Sequence, residues 1–118
     1  MAKILLVDDS LFTLKRHEKI VAGLGHETVT AGDGQKAIDL LENDSVDLVI
    51  MDLLMPVKDG VETLRELKES YPELNVAIVS ADIQAERRKE VLDLGAIGLF
   101  NKPLDAEKAS ALLECAQL

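Results

Sequence analysis

Five polar residues with chemically useful side chains follow short apolar segments of this chain. Three are the carboxylates Asp8, Asp9 and Asp52; the others are the hydroxyl of Ser80 and the ammonium group of Lys102. Crowded carboxylates repel one another unless a cation lies among them, and oxygen ligands favour a hard cation, Mg2+ first. A carboxylate flanked by a cation and an ammonium group can accept a phosphoryl group, since that chemistry mostly needs positioning and charge neutralisation.

These residue types assign a role to each side chain. Asp52 would be the nucleophile and would form an acyl phosphate. Asp8 and Asp9 would hold the divalent cation. Lys102 would bind one phosphoryl oxygen, and the Ser80 hydroxyl would donate a hydrogen bond to another.

The strands that must bring these residues together are predicted by short apolar runs. Most of the runs are almost free of polar residues, as expected of strands buried on both faces. The second run alternates more and is predicted to be an edge strand. The five predicted strands are residues 4–7, 27–30, 46–51, 76–79 and 97–100.

Helical periods separate the strands. Ser10 is predicted to cap the first helix, Pro72 to follow the third and Gly95 to follow the fourth. The first three helices are indicated by apolar stripes at Leu11, Leu14, Val21 and Leu24, at Ala37, Ile38 and Leu41, and at Val61, Leu64, Leu67 and Tyr71; the last two are predicted at residues 83–94 and 106–116.

Five strands alternating with five helices predict an α/β fold, a doubly wound parallel sheet covered by helices on both faces, because each parallel crossover needs a helix-length connection. Ligands of such folds bind at the carboxyl ends of the strands, which is where the five polar residues fall. With 118 residues, 47% of them hydrophobic, the chain is predicted to form one domain over residues 1–118.

The charge balance restricts the partners. Thirteen Lys and Arg against 22 Asp and Glu leave a formal net charge of -9, which disfavours direct binding to nucleic acid or to an anionic membrane. The N-terminal segment resembles neither a signal peptide nor a membrane span, so no membrane insertion is predicted. The single cysteine, Cys115, is predicted to be a small apolar filler in a cytoplasmic protein. The two histidines, His17 and His26, fall outside the predicted site and are expected to be ordinary surface residues.

Each polar residue also has a simpler interpretation. Asp8 and Asp9 followed by Ser10 can be a turn before a capped helix, and a lysine before a proline, as at Lys102, is usually a surface residue. Their convergence at four strand ends favours a functional cluster.

As a set, these segments resemble the receiver domains of bacterial two-component response regulators, including the single-domain chemotaxis, or CheY-like, type. The resemblance implies a flavodoxin-like sheet in the order 2-1-3-4-5. It rests on Val7 to Ser10, Asp52 to Pro56 with Asp59-Gly60, Ser80-Ala81, Gly95-Ala96 and Lys102-Pro103.

The resemblance also implies how the site would work. Mg2+ would be bound by Asp9, Asp52 and the backbone carbonyl of Leu54, with Asp8 acting partly through water. A cis peptide would join Lys102 to its proline. A sensor histidine kinase or histidine phosphotransfer protein would supply the phosphoryl group, and hydrolysis of the phosphorylated aspartate would reset the switch. The protein would not be an enzyme beyond accepting and losing that group.

Two positions depart from the family pattern. Leu99 replaces the usual aromatic residue three positions before the lysine, and Phe100 is predicted to face the other side of the strand. Leu54 places an apolar side chain beside the acceptor. The expected output surface is the face formed by the fourth helix, fifth strand and fifth helix, together with the loop 81–85.

Other functions remain open on sequence alone. A phosphatase with an Asp nucleophile needs two aspartates separated by one residue, and the second position here is Ser10. A flavin carrier would need flanking aromatic residues, of which the chain has 3%. A receiver-like docking module that is never phosphorylated is kept open by Leu99. A stand-alone protein, slightly favoured by Met1, and a receiver from a longer regulator are both compatible with the sequence, as are chemotaxis and other pathways.

Overall fold

The computed structural model describes residues 1–81 and 84–118. Five strands alternate with five helices along the chain. The strands are β1 (Lys3–Val7), β2 (Glu27–Ala31), β3 (Leu48–Met51), β4 (Asn75–Ser80) and β5 (Gly98–Asn101). The helices are α1 (Leu11–Gly23), α2 (Gly34–Asn43), α3 (Gly60–Ser70), α4 (Ala85–Asp93) and α5 (Ala106–Cys115).

The strands form one parallel sheet in the order β2-β1-β3-β4-β5, which confirms the predicted fold. β2 is an edge strand, as its alternating pattern predicted. Its burial pattern mixes half-buried and exposed residues, whereas the four residues of β3 are all buried.

Two apolar cores cover the two faces of the sheet, because successive residues of a strand point to opposite sides. Leu5, Val49 and Ile78 lie in the core covered by α2, α3 and α4. Leu6 and Ile50 lie in the core covered by α1 and α5. Helices on both faces are the doubly wound arrangement.

Two predicted element starts differ from the structure by two residues, and the other predicted bounds agree with it to within one residue. β3 begins at Leu48 rather than at residue 46, because Asp47 exchanges hydrogen bonds with the backbone of Lys3: its Oδ2 accepts from Lys3 N at 2.8 Å and its own N–H donates to Lys3 O at 2.8 Å. α4 begins at Ala85, and the predicted start at residue 83 lies outside the described residues. So does part of the predicted loop 81–85.

The predicted buried face of α1 is partly wrong. Leu14 and Val21 are buried as expected, but Leu11 is 67% exposed because it lies in the first turn, above the edge of the sheet. His17 is buried instead, on the same face as Leu14 and Val21.

Two smaller expectations were also wrong. Cys115 ends α5 in an exposed position, so it does not fill the core. His26 is not an ordinary surface residue, because its Nδ1 accepts a hydrogen bond from Ala2 N at 3.0 Å and so holds the start of the chain against the turn before β2. In the part of the chain that the structure describes, no helix is long and apolar enough to span a membrane.

Candidate functional site

The strand register places Asp8 and Asp52 side by side. Val7 of β1 pairs with Met51 of β3, and each aspartate follows its strand by one residue. Asp52 N donates to Val7 O at 3.1 Å, which continues the pairing one step past the strands. Two carboxylates that are distant in sequence therefore become neighbours at the carboxyl edge of the sheet.

Lys102 bonds both carboxylates. Its Nζ lies 2.6 Å from Asp8 Oδ2 and 3.0 Å from Asp52 Oδ2, and its N–H donates to Ser80 O at 3.0 Å, which aligns the segment with the end of β4. The peptide bond between Lys102 and Pro103 is cis, as the family resemblance implied. Burial opposes the ammonium charge, but the hydrogen bonds to Asp8 and Asp52 outweigh it and raise the pKa of Lys102.

A carboxylate cluster lies beside the lysine. One oxygen each from Asp8, Asp9 and Asp52 fall within 4.8 Å of one another. Asp8 and Asp52 are buried, whereas Asp9 is exposed, so the cluster is open to solvent on one side. Such a set of hard oxygen donors fits a cation that keeps part of its hydration shell, as Mg2+ usually does. One lysine leaves three carboxylates undercompensated, which also favours a bound cation.

Backbone hydrogen bonds hold the two buried carboxylates in place. Ser10 N donates to Asp8 Oδ1 at 2.9 Å, and Ser10 Oγ accepts from Thr13 N at 3.2 Å as the predicted N-cap of α1. The start of the helix and the direction of Asp8 are therefore linked through one residue. Leu54 N lies 3.3 Å from Asp52 Oδ1.

Gly60, the first residue of α3, lies against the backbone that carries Asp52. Its N–H donates to Leu53 O at 2.8 Å. A Cβ at this position would lie 2.4 Å from Asp52 O and 2.6 Å from Leu53 Cα. Only a glycine allows this approach. Gly60 therefore supports the loop of residues 52–59, the acceptor loop, rather than simply forming a turn.

Ser80 is fully buried at the end of β4. Among residues 1–81 and 84–118, no group forms a hydrogen bond with its Oγ. A buried hydroxyl without a partner costs stability unless a ligand supplies one, so this atom marks a position where a polar ligand would be favoured.

Contrary to the sequence-based expectation, His17 lies close to this site. The side chain is only 5% exposed, and it lines the same cavity as Lys102. Burial lowers the pKa of His17, and the charge of Lys102 lowers it further, while Asp8 acts in the opposite direction. The spacing of His17 from Leu14 and Val21 was the signal that could have revealed its burial.

We expect His17→Leu to stabilise the protein by about 1 kcal/mol at about pH 7.5, because an imidazole that is only 5% exposed is replaced by an apolar side chain of similar size. Acid should widen this difference. The unfolded chain binds a proton near the ordinary His pKa of 6.5, whereas the folded chain resists it, so the wild type loses stability as the pH falls below that value. Urea unfolding at about pH 7.5 and pH 5.5 measures both effects.

His26→Leu provides the control for that substitution. It removes the acceptor for Ala2 N, so it should destabilise the protein by about 1 kcal/mol. If His17→Leu destabilised the protein as much as His26→Leu, the imidazole of His17 would be a favourable group in the folded chain, contrary to this prediction.

The two residues that depart from the family pattern, Leu99 and Leu54, lie in different surroundings. Leu99 is half-buried against the core under α3 and α4, while Phe100 packs against the opposite core, as strand alternation predicted. The Phe100 ring lies over Gly98, where a Cβ would come within 2.9 Å of Cε1. Phe100 therefore does not replace an aromatic side chain at position 99. Leu54 is 61% exposed at the rim of the site.

A parallel α/β sheet with a carboxylate cluster and an ion-paired lysine at its carboxyl edge defines a class of phosphoryl-accepting signalling domains. The chain belongs to the response regulator receiver domain family, whose model matches residues 4–114. Domains of this family are signalling modules rather than classical enzymes, and they interact with histidine kinases or phosphotransfer proteins and with downstream effectors.

Individual relatives agree with this assignment. The chain is 38% identical to the chemotaxis protein CheY of Treponema pallidum, over 90% of this chain and 76% of that protein. It is 33% identical to the probable C4-dicarboxylate response regulator DctR of Bacillus subtilis, over 95% of this chain. The crystal structure of a response regulator receiver domain protein from Clostridium thermocellum superposes with a TM-score of 0.92 at 30% identity, covering 98% of this chain and 94% of that one.

The relatives differ in length. The chain spans 50% of DctR and 26% of the Escherichia coli transcriptional regulatory protein ZraR. The output of a whole regulator therefore does not follow from these matches.

Proposed function

We propose that Asp52 accepts a phosphoryl group from a histidine kinase or a histidine phosphotransfer protein in a Mg2+-dependent reaction, and that the phosphorylated state changes partner binding. The main support is the position of Lys102 Nζ, which bonds Asp52 and Asp8 at once. This ammonium group is placed to bind an oxygen of a phosphoryl group that arrives on Asp52, while Asp8 anchors it from the other side.

The Asp52 carboxylate attacks as an anion, so this chain does not have to supply a proton at the acceptor. An Asp52 oxygen attacks phosphorus, and the bond from phosphorus to the donor histidine nitrogen breaks. That nitrogen keeps the electron pair, and the imidazole leaves as a neutral ring because its other nitrogen carries a proton. Bound Mg2+ would neutralise phosphoryl and carboxylate oxygens; Asp8, Asp9, Asp52 and the backbone carbonyl of Leu54 are its proposed ligands. The Ser80 hydroxyl, which has no hydrogen-bond partner among residues 1–81 and 84–118, would donate to a phosphoryl oxygen.

Exposed apolar residues near the acceptor support a protein donor. Leu11 follows the aspartate pair and is 67% exposed, and its neighbour Phe12 is 77% exposed. Leu54 and Val57 follow Asp52 and are also exposed. An apolar rim around a polar site is typical of a protein contact surface. The net charge of -9 supports a protein rather than nucleic acid as the direct partner.

The output surface is proposed to be the face of α4, β5 and α5. Val91 is the buried residue of α4, so most of this helix is available to a partner. Phosphorylation adds close to two negative charges at the neighbouring edge of the sheet and can bias this face. With Leu99 at the usual aromatic position, the bias would act through aliphatic packing.

Intact mass after incubation with acetyl phosphate or phosphoramidate tests the proposal. We expect one phosphoryl adduct with Mg2+ and almost none after chelation, because the carboxylate cluster would then repel the anionic donor. If no adduct accumulates, Mg2+-dependent binding of beryllofluoride distinguishes rapid hydrolysis from an inactive site. Absence of both would contradict the proposal and favour a docking module.

A further inference from the structure

A cavity of about 300 Å3 opens at the amino edge of the sheet, away from the acceptor. It lies between the segment that joins α2 to β3 and the segment that joins α3 to β4. The length of β4, Asn75–Ser80, separates it from the carboxyl edge, which is about 20 Å at the usual rise of a strand. A ligand in this cavity would therefore not compete with groups that bind at the acceptor.

The wall of the cavity is apolar. Leu41, Val46, Tyr71 and Leu74 line it. Leu41 is buried, Val46 and Leu74 are half-buried against the core covered by α2, α3 and α4, and Tyr71 is 36% exposed. Apolar surface is thus left in contact with water, and a further apolar group placed there would release that water.

Hydrogen bonds form the cavity before any ligand arrives. Tyr71 Oη donates to Leu41 O at 3.1 Å, which joins the end of α3 to the last turn of α2. Tyr71 N donates to Leu67 O at 2.7 Å, and Leu74 N donates to Tyr71 O at 3.0 Å. Because the backbone and the hydroxyl of Tyr71 are both held, a ligand would bind with little loss of conformational freedom in the protein.

The rim of the cavity is acidic. Asp44 and Glu73 line it, and Asp44 Oδ2 pairs with Lys3 Nζ at 2.6 Å. In the part of the chain that the structure describes, no cationic group lies within salt-bridge distance of Glu73, and no lysine or arginine lines the cavity. Lys68 Nζ donates to two backbone carbonyls of the adjacent segment instead. The rim therefore favours a cationic group from outside the chain.

We propose that this cavity docks a segment of a partner protein that presents an aromatic or branched aliphatic side chain next to a lysine or arginine. The apolar side chain would fill the cavity, and the cation would lie between the Tyr71 ring and the Glu73 carboxylate. A second copy of this chain is a poor occupant, because each copy has a net charge of -9. The docking does not depend on phosphoryl acceptance by Asp52 and adds a second contact surface to the proposed function.

An NMR titration with a short blocked peptide, a central phenylalanine flanked by lysines, tests the proposal. We expect saturable shifts at the backbone amides of Val46 and Leu74. A peptide with serine in place of phenylalanine should bind about tenfold more weakly, because the apolar contact is lost. A peptide with glutamates in place of the lysines should not bind detectably, because like charges then meet at the rim.

Glu73→Lys tests the role of the rim. It should weaken binding of the lysine peptide about fivefold, since one attraction becomes a repulsion. Glu69→Lys is the matched control. Glu69 is an exposed residue of α3 that does not line the cavity, and its replacement changes the net charge by the same amount. Binding to this control should stay within about twofold of the wild type. Asp52→Asn should bind the peptide as the wild type does.

Four results would overturn the inference. The first is the absence of saturable shifts at these amides. The second is equal weakening by Glu73→Lys and Glu69→Lys, which would indicate long-range attraction rather than a site. The third is binding of phenethylamine as tight as that of the peptide, which would assign the cavity to a small amine. The fourth is a shift of the same amides on raising the protein concentration alone, which would assign it to a second copy.

Discussion

Asp52→Asn is expected to abolish Mg2+-dependent phosphorylation of the protein. The amide lacks the nucleophilic carboxylate oxygen and the charge that helps to hold the cation, while Lys102 and Asp8 can remain in place. Intact mass after incubation with acetyl phosphate and Mg2+ measures the result. No phosphoryl adduct should be detected under conditions that label the wild type fully.

The same substitution separates function from stability. In the metal-free protein, Asp52 shares one lysine with Asp8 and lies within 4.8 Å of Asp9 as well, so removing one of three negative charges relieves repulsion. The free energy of unfolding without Mg2+ should be unchanged or higher by about 1 kcal/mol. A large loss of stability would mean that the ion pair with Lys102 holds the fold together.

Asp59→Asn is the matched control for Asp52→Asn. Asp59 lies in the same loop, and its Oδ1 accepts from Glu62 N at 2.9 Å as the N-cap of α3. Asparagine caps a helix about as well as aspartate, so this variant loses the same charge while keeping its structural role. It should still be phosphorylated. An adduct that persists in Asp52→Asn would assign the acceptor to another residue.

Gly60→Ala is expected to lower the free energy of unfolding by about 3 kcal/mol or more. The new methyl group would meet backbone atoms of Asp52 and Leu53 at 2.4 and 2.6 Å, and neither can be avoided by rotating a flexible side chain. Either α3 or the acceptor loop must therefore shift. Because that loop carries Asp52, the rate of phosphorylation should also fall. Urea unfolding and the rate of adduct formation measure the two effects.

Gly23→Ala is the control for the glycine substitution. Gly23 is the last residue of α1, and a Cβ there would find no atom within 4 Å. Alanine at this position should stabilise the protein by about 0.5 to 1 kcal/mol through its helix propensity. A Gly60→Ala protein as stable as the wild type would show that the close approach of α3 to the loop is not required.

Sequence patterns determined the fold and predicted which polar residues lie at the carboxyl edge of the sheet. Apolar runs separated by helical periods predicted five strands and five helices, and parallel strands that end at one edge must bring Asp8, Asp52 and Ser80 together. The order of the strands came from the family resemblance rather than from the patterns. The carbonyl ligand assigned to Leu54 and the individual roles in phosphoryl transfer remain predictions.

Tertiary structure decided the contacts that local patterns do not encode. The predicted apolar stripe of α1 omitted His17 because histidine is polar, although its spacing fits the buried face. The packing of α1 against the sheet buries His17 and exposes Leu11. The pairing of Lys102 with two carboxylates depends on the register of three strands that are distant in sequence. The need for glycine at position 60 depends on how closely α3 approaches the acceptor loop. Local residue types specify hydrogen-bonding capacity and periodicity, whereas the burial and the partner of each group are determined by elements that meet only in the folded chain.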